Sequence, residues 1–318
     1  MGGAGYIGSH TVKYLLDRGQ QVVVADNLIT GHREAVDARA SFRKADLADS
    51  ASLAKVFTEF KIDAVIHFAA FAYVGESVTD PAKYYHNNVG GTLNLLQVMR
   101  QFKVDKIVFS STCATYGEPQ FIPLTEKHPQ HPINPYGASK LMIERVLADY
   151  HHAYGLKYIA LRYFNAAGAS SDGTLGESHT PETHLISLVL QTLKGVREKI
   201  MIFGNDYPTP DGTCVRDYIH VEDLAVAHAL ALAKVDDFSG CLNLGTGVGV
   251  SVQEVIAAAE EVAGKKCPTQ IAPRRPGDPA TLMADNTQAQ EILAWHPQFK
   301  EIKPILQTAW FWENHRRY

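Results

Sequence analysis

Apolar runs of five to eight residues alternate with longer amphipathic stretches from the start of the chain to about residue 165. Gln21-Val22-Val23-Val24-Ala25, Ala64-Val65-Ile66-His67-Phe68-Ala69-Ala70, Lys106-Ile107-Val108-Phe109-Ser110-Ser111 and Tyr158-Ile159-Ala160-Leu161-Arg162-Tyr163-Phe164-Asn165 are largely unbroken by polar residues. Such runs suit parallel strands buried on both faces. Residues 42–47 predict a further strand, and residues 9–16, 51–60, 81–101 and 136–154 carry apolar positions at helical spacing. Strand and helix in alternation with short links predict an α/β fold, a doubly wound parallel sheet of the Rossmann type. Its ligand crevice lies at the C-terminal strand ends, where Asp26, Asp46, Ala69, Thr112 and Asn165 fall. Beyond residue 166 the texture changes to Gly-, Ser-, Asp- and Pro-rich loops between shorter elements, with helices predicted at 221–233, 251–263 and 303–315. We therefore expect a nucleotide-binding domain over 1–165 and, over 166–318, a smaller substrate-binding region with some elements returning to the sheet.

The first turn carries the first chemistry. Gly2-Gly3-Ala4-Gly5-Tyr6-Ile7-Gly8 places glycines at 2, 5 and 8 just before a helix. Glycines let the backbone approach a pyrophosphate, and the helix N-terminus offers unpaired N–H groups and a positive dipole end. Asp26 closes the next strand 18 residues after Gly8, where an acid accepts hydrogen bonds from an adenosine ribose and repels a 2′-phosphate. Asn27 and Leu28 follow instead of Arg or Lys, so the reading is NAD over NADP. Asp46 could reach an adenine amino group. A dinucleotide-binding unit also needs a strand before its glycine turn, and here the turn begins at residue 2. The expectation is that the first strand is missing from the chain as given, a segment of roughly five or six residues.

Tyr136-Gly137-Ala138-Ser139-Lys140 lies within the predicted helix 136–154, which stacks a phenol and an ammonium one turn apart on one face. A free tyrosine titrates near ~10 and a neighbouring cation pulls it down, which makes a base. Ser110-Ser111-Thr112 at the end of the preceding strand supplies hydroxyls to the same crevice. Arg216, and Arg274 with Arg275, sit in loops or short elements and are shaped to fork around a diphosphate.

Composition removes several alternatives. A net charge of −4 and a pI near 6.4 give no basic field for nucleic acid. The apolar run 64–74 is too short to cross a bilayer and no charged-then-apolar signal opens the chain, so a cytoplasmic protein is expected. Cys113, Cys214, Cys241 and Cys267 include no Cys-x-x-Cys pair, and the 14 histidines show no His-Glu-x-x-His or other ligand spacing. No metal is predicted.

Taken in order, Gly2 to His10, His67-Phe68-Ala69-Ala70, Tyr84-Tyr85-His86-Asn87-Asn88, Ser110-Ser111-Thr112, Asn134-Pro135-Tyr136-Gly137, Leu161-Arg162-Tyr163-Phe164-Asn165 and Arg216-Asp217-Tyr218-Ile219-His220 resemble the extended short-chain dehydrogenase/reductase family, in its sugar-nucleotide epimerase branch. The likeness runs from Gly2 to about Asp285. It implies a tightly held NAD and epimerisation at C4 of a UDP-hexose through a transient 4-keto sugar. Tyr136 would take the 4-hydroxyl proton, Lys140 would hold the nicotinamide ribose and lower the Tyr136 pKa, and Thr112 would hydrogen-bond the 4-oxygen. NAD would lie against Gly2, Gly5, Tyr6, Ile7, Gly8, Asp26, Asn27, Asp46, Leu47, Phe68, Ala69, Ala70, Asn87, Ser110, Tyr163 and Phe164. Asn165, Arg216 and Arg275 would bind the diphosphate, Leu185, Met201 and Phe203 would surround the uracil, Asp278 would take a ribose hydroxyl, and His184 sits where some relatives have Asn. Ala72 replaces a Lys near the cofactor. Leu282 stands where relatives carry Tyr or Cys, and this would admit an N-acetylated sugar. The same likeness implies a homodimer paired through the helices at 81–101 and 136–154. Pentose- or uronate-nucleotide epimerases share most of these features. A dehydratase would carry Asp-Glu after the Thr, where Cys113-Ala114 stand here, and a non-catalytic regulator would lose the Tyr or the Lys.

Overall fold

The computed structural model describes residues 1–275 and 278–318; Pro276 and Gly277 of the arginine-bearing loop lie outside the described residues. The long apolar runs become β3 (Val65–His67), β4 (Lys106–Thr112), β5 (Lys157–Tyr163) and β9 (Gly240–Leu244), a parallel sheet in the order β3-β4-β5-β9. Alternate residues of β4 and β5 enter different cores. Ile107, Phe109, Tyr158 and Ala160 pack with α2 (Ser50–Glu59), α5 (Gly91–Gln101) and α6 (Pro135–Tyr154). Val108, Ile159 and Leu161 pack with α8 (Val221–Lys234) and Trp295 on the other face. Burial on both faces is why these strands read as continuous apolar runs rather than as alternations.

β1 (Val23–Asp26) and β2 (Ser41–Lys44) form a second parallel pair. The start of the chain runs between that pair and β3: the Gly2 N–H donates to Ala25 O at 2.9 Å, the Met1 amine to Ile66 O at 2.9 Å, and the Phe68 N–H to Met1 O at 2.9 Å. Residues 1–2 thus hold the central position next to β1 and β3, and the glycine turn leads from them into α1 (Tyr6–Leu16). No named strand precedes that turn among the described residues.

The helix predicted over 81–101 is divided. α4 (Pro81–Tyr84) gives way to a widened π-turn over Tyr85–Gly90 before α5 begins. This turn carries Asn88, fully buried, whose side chain accepts from Phe71 N and donates to Phe71 O and Ser139 Oγ. A π-bulge of this kind commonly marks a functional site. α3 (Val74–Thr79), which sequence pattern did not indicate, precedes it. α6 begins as Asn134 accepts from the Gly137 N–H at 2.8 Å with Pro135 in the first turn, and ends at Gly155 in the left-handed conformation, φ 72°.

The strand expected over 158–165 stops at Tyr163. Asn165 belongs to β6 (Asn165–Ala167), which pairs with β8 (Val215–His220) in a separate small sheet with β10 (Gly249–Ser251) and β12 (Thr281–Leu282). The chain changes sheets at Phe164. β7 (Ile200–Phe203) and β11 (Thr269–Ala272) pair in parallel, and α7 (Leu185–Lys194), α9 (Val252–Ala263) and α11 (Ile302–Asn314) close a further core around Val189, Val255 and Leu306. α10 (Thr287–Leu293) packs back against the large sheet through Ala289 and Leu293. No described helix is long and apolar enough to cross a membrane.

Candidate active site

The crevice is built where β4 ends. Thr112 Oγ1 accepts from the Ala114 N–H at 3.2 Å as the chain turns. The phenol of Tyr136, delivered by the first turn of α6, lies against Thr112. Burial pushes Tyr136 up to about 12, and the neighbouring Thr112 opposes the rise. Lys140, one turn on and 2% exposed, aims its ammonium at Ser110 O at 2.7 Å, 5.9 Å from the Tyr136 ring centroid. Burial lowers Lys140 to about 7, with the Glu144 charge working against the fall. Among the protein's own groups burial dominates at Tyr136, and the Lys140 ammonium faces the Ser110 carbonyl.

Behind this trio lies a buried polar chain. Glu144 accepts from Ser111 Oγ and forms a forked pair with Arg162 at 2.9 and 2.7 Å; Arg162 donates to Tyr116 Oη at 3.0 Å, which donates to Asn243 at 2.7 Å. Sequence reading missed Glu144, Arg162 and Asn88. The available signals were a carboxylate one turn beyond Lys140 and a charge inside an apolar strand.

The glycine turn fits a dinucleotide. A Cβ on Gly8 would lie 2.2 Å from Gly2 O and one on Gly2 (φ 77°) 2.5 Å from Ala69 N, so helix, turn and the end of β3 touch through backbone. A Cβ on Gly5 would meet nothing nearer than 3.6 Å, leaving its face open. No side chain caps the first turn of α1 and no acid lies in it, so its N–H groups and dipole remain available to a diphosphate around Gly5, Tyr6, Ile7 and Gly8. Asp26 is pinned at the rim by the Ala4 and Leu28 N–H groups, both at 2.9 Å, and Asn27 donates to Asp46 at 2.9 Å. Leu47 packs against Gly91. Phe68, Ala69 and Ala70 follow β3, Phe68 meeting His228 at 4.7 Å between ring centroids, and Tyr163 hydrogen-bonds Ser110. Asn87 donates to Asn88 at 2.9 Å.

The substrate side is continuous with Thr112. Cys113, Phe164 and Leu282 share one apolar cluster, and Leu282 is in register with Arg216 across β12 and β8. Arg216 pairs with Asp278 at 3.0 Å, Asp278 also takes Arg275 at 2.9 Å, and the Arg275 guanidinium lies 4.8 Å over the Phe203 ring. Asn165 donates to Asp217 O at 3.0 Å, and Met201 lies in the neighbouring β7. Leu185 opens α7. His184, just before it, is drawn instead into a cluster with Glu177, His179 and Glu182 near Tyr6. Ala72 lies in the loop before α3.

The NAD dependent epimerase/dehydratase family model matches residues 1–245. The UDP-glucose 4-epimerase of Lacticaseibacillus casei is 54% identical over 318 residues, covering 99% of this chain and 96% of that one. Its counterpart from Streptococcus mutans is 53% identical with the same coverage. Among solved structures, UDP-glucose 4-epimerase from Bifidobacterium longum in complex with NAD+ and UDP superposes with a TM-score of 0.95 at 40% identity, covering 99% of this chain and 97% of that one. The Brucella ovis enzyme in complex with NAD gives 0.94 at 50% identity, covering 97% and 95%.

Proposed function

The chain belongs to the NAD dependent epimerase/dehydratase family, and from that premise we propose that it inverts C4 of a UDP-hexose. It is an NAD-dependent enzyme that interconverts UDP-glucose and UDP-galactose. The observation that carries the assignment of residues is the meeting of the Tyr136 phenol and the Thr112 hydroxyl at the end of β4, with Lys140 behind them. Bound NAD supplies a reversible hydride acceptor and, when oxidised, a positive charge. Tyr136 removes the proton of the 4-hydroxyl and returns one to the 4-oxygen, and Thr112 orients that oxygen. Lys140, one helical turn from the phenol, would hold the nicotinamide ribose. Asp26, with both carboxylate oxygens already fixed by backbone N–H groups, keeps its remaining lone pairs for the adenosine ribose. Arg216 and Arg275, tied together by Asp278, clamp the diphosphate while the flat keto sugar turns over. Cys113 and Ala114 stand where a dehydratase carries an acid pair, and neither is a carboxylic acid that could assist elimination of water.

The direct test is to purify the chain, release and identify its bound nucleotide, and follow UDP-galactose conversion. NAD close to one per chain and formation of UDP-glucose are expected; neither would be found if the reading is wrong. Leu282 is compact and apolar beside Cys113, so UDP-N-acetylgalactosamine is expected to turn over at a comparable rate in the same assay, and no turnover removes that extension.

A cytoplasmic location is supported by the four free cysteines, which suit a reducing compartment. A homodimer is supported by Leu93 on α5 and Met142 on α6, 39% and 44% exposed, the latter beside a groove lined by His131, Pro132, Ala138 and Leu141. Leu93→Glu with Met142→Glu is expected to turn a dimer into a folded monomer by light scattering. A monomeric wild type would overturn the pairing.

A further inference from the structure

The segment from Glu177 to His184 carries a second constellation that the epimerase chemistry does not use. Its spacing, Glu-x-His-x-x-Glu-x-His, matches no helical metal motif, yet the loop folds so that one ligand-type atom from each of Glu177, His179, Glu182 and His184 lies within 4.8 Å of the others. The Nδ1 atoms of both histidines face the same carboxylate oxygen: Glu177 Oε1 is 3.3 Å from His179 Nδ1 and hydrogen-bonds His184 Nδ1. Glu182 Oε2 completes the set at 3.8 Å from His179 Nδ1.

Each carboxylate is held by one oxygen and turns the other inward. Glu177 Oε2 accepts from the Ser187 hydroxyl, and Glu182 Oε1 accepts from the N–H groups of Thr183 at 2.7 Å and His184 at 2.9 Å. This is the outer support that metal ligands characteristically have. Two of the inward atoms, His179 Nδ1 and Glu182 Oε2, are buried and have no hydrogen-bond partner. The Glu182 side chain is only 4% exposed, so its free oxygen is an unpartnered group aimed into the cluster. Hydrogen bonding among the four leaves this pair unsatisfied, whereas a cation at the centre would satisfy all four atoms together.

We propose that Glu177, His179, Glu182 and His184 bind one divalent transition-metal ion, with Zn2+ as the preferred occupant. Two imidazoles exclude a hard-ion site for Mg2+ or Ca2+, and the absence of sulfur among the four ligands argues against Cu(I). Zn–N and Zn–O bonds near 2.0–2.2 Å in a tetrahedron require ligand atoms about 3.3 Å apart. The separations here reach that by shifts on the order of an ångström, with Glu177 and His184 moving apart and the wider pairs closing. The ion would fasten the approach to α7 beside Tyr6 and would leave the second ring nitrogen of the half-exposed His184 for hydrogen bonding. Its role is structural, and the proposal does not depend on which sugar is turned over.

Tag-free, chelator-treated full-length protein titrated with Zn2+ against a chromophoric chelator is expected to bind one equivalent, and Co2+ to give the visible absorption of a tetrahedral site. Glu182→Gln, which keeps side-chain size, should weaken Zn2+ by at least the roughly 10- to 100-fold that loss of a mere supporting group costs. Glu177→Gln should do the same, whereas His151→Ala with His152→Ala should leave the stoichiometry intact. Thermal melts without metal identify any variant that fails to fold, and Zn2+ should raise the melting temperature of the wild type but not of Glu182→Gln. No saturable binding, or binding equally strong in both glutamine variants, would overturn the site.

Discussion

Replacing Tyr136 by Phe is expected to lower turnover of UDP-galactose by roughly 10²- to 10⁴-fold, the span that one positioned acid or base contributes. NAD per chain should remain at the wild-type value, because the ring stays and the helix start is fixed by Asn134 and Pro135, not by the phenol. The pH profile gives a second readout. Burial holds the phenol near 12 in the protein's own field, and Thr112 already opposes that rise. A base must lose its proton to act, so the wild-type rate rises with pH through the phenol's pKa, and any cation brought beside it moves this rise to lower pH. The Phe variant should lack the rise altogether. Equal activity in the two proteins, or an unchanged profile at reduced rate, would remove Tyr136 as the base.

The parts of the site that were legible in sequence share a property: each is set by residues close together in the chain. Gly2, Gly5 and Gly8 announce a tight turn because only glycine tolerates the 2.2 Å approach at Gly8, and Tyr136 and Lys140 meet because a helix stacks neighbours one turn apart. The strands were readable because burial on two faces leaves no polar alternation. What escaped was decided by distance in sequence. Glu144 and Arg162 meet only because α6 lies across β5, and Asn88 reaches Phe71 and Ser139 only because the helix widens there. The Glu177–His184 cluster escaped for a different reason: its members are near neighbours, but irregular backbone, not helix periodicity, brings their atoms together. The electrostatics escaped as well, since a Tyr–Lys spacing carries no information about how deeply both groups are desolvated.

Glu144→Gln is expected to cost about 3–5 kcal/mol of stability, the price of stranding one half of a buried ion pair. Arg162 is 5% exposed and gets its charge compensation from Glu144 through two contacts, at 2.9 and 2.7 Å; the amide keeps the shape and loses the charge. Removing both charges, as Glu144→Met with Arg162→Met, should restore most of the loss, because a well-packed apolar pair of similar volume has no stranded charge. Denaturant midpoints of the single and double variants read this directly, and an unchanged midpoint in Glu144→Gln would show that the pair contributes nothing. The catalytic readout behaves differently. Glu144 is the charge that resists the burial of Lys140, whose pKa already lies near 7. Without it the ammonium gives up its proton at lower pH. Protonated Lys140 disappears as pH rises through that value, so the alkaline fall in activity should move to lower pH in the single and the double variant alike. Stability should recover in the double variant while the profile does not, which separates a pair that holds the fold from a carboxylate that keeps the active-site lysine charged.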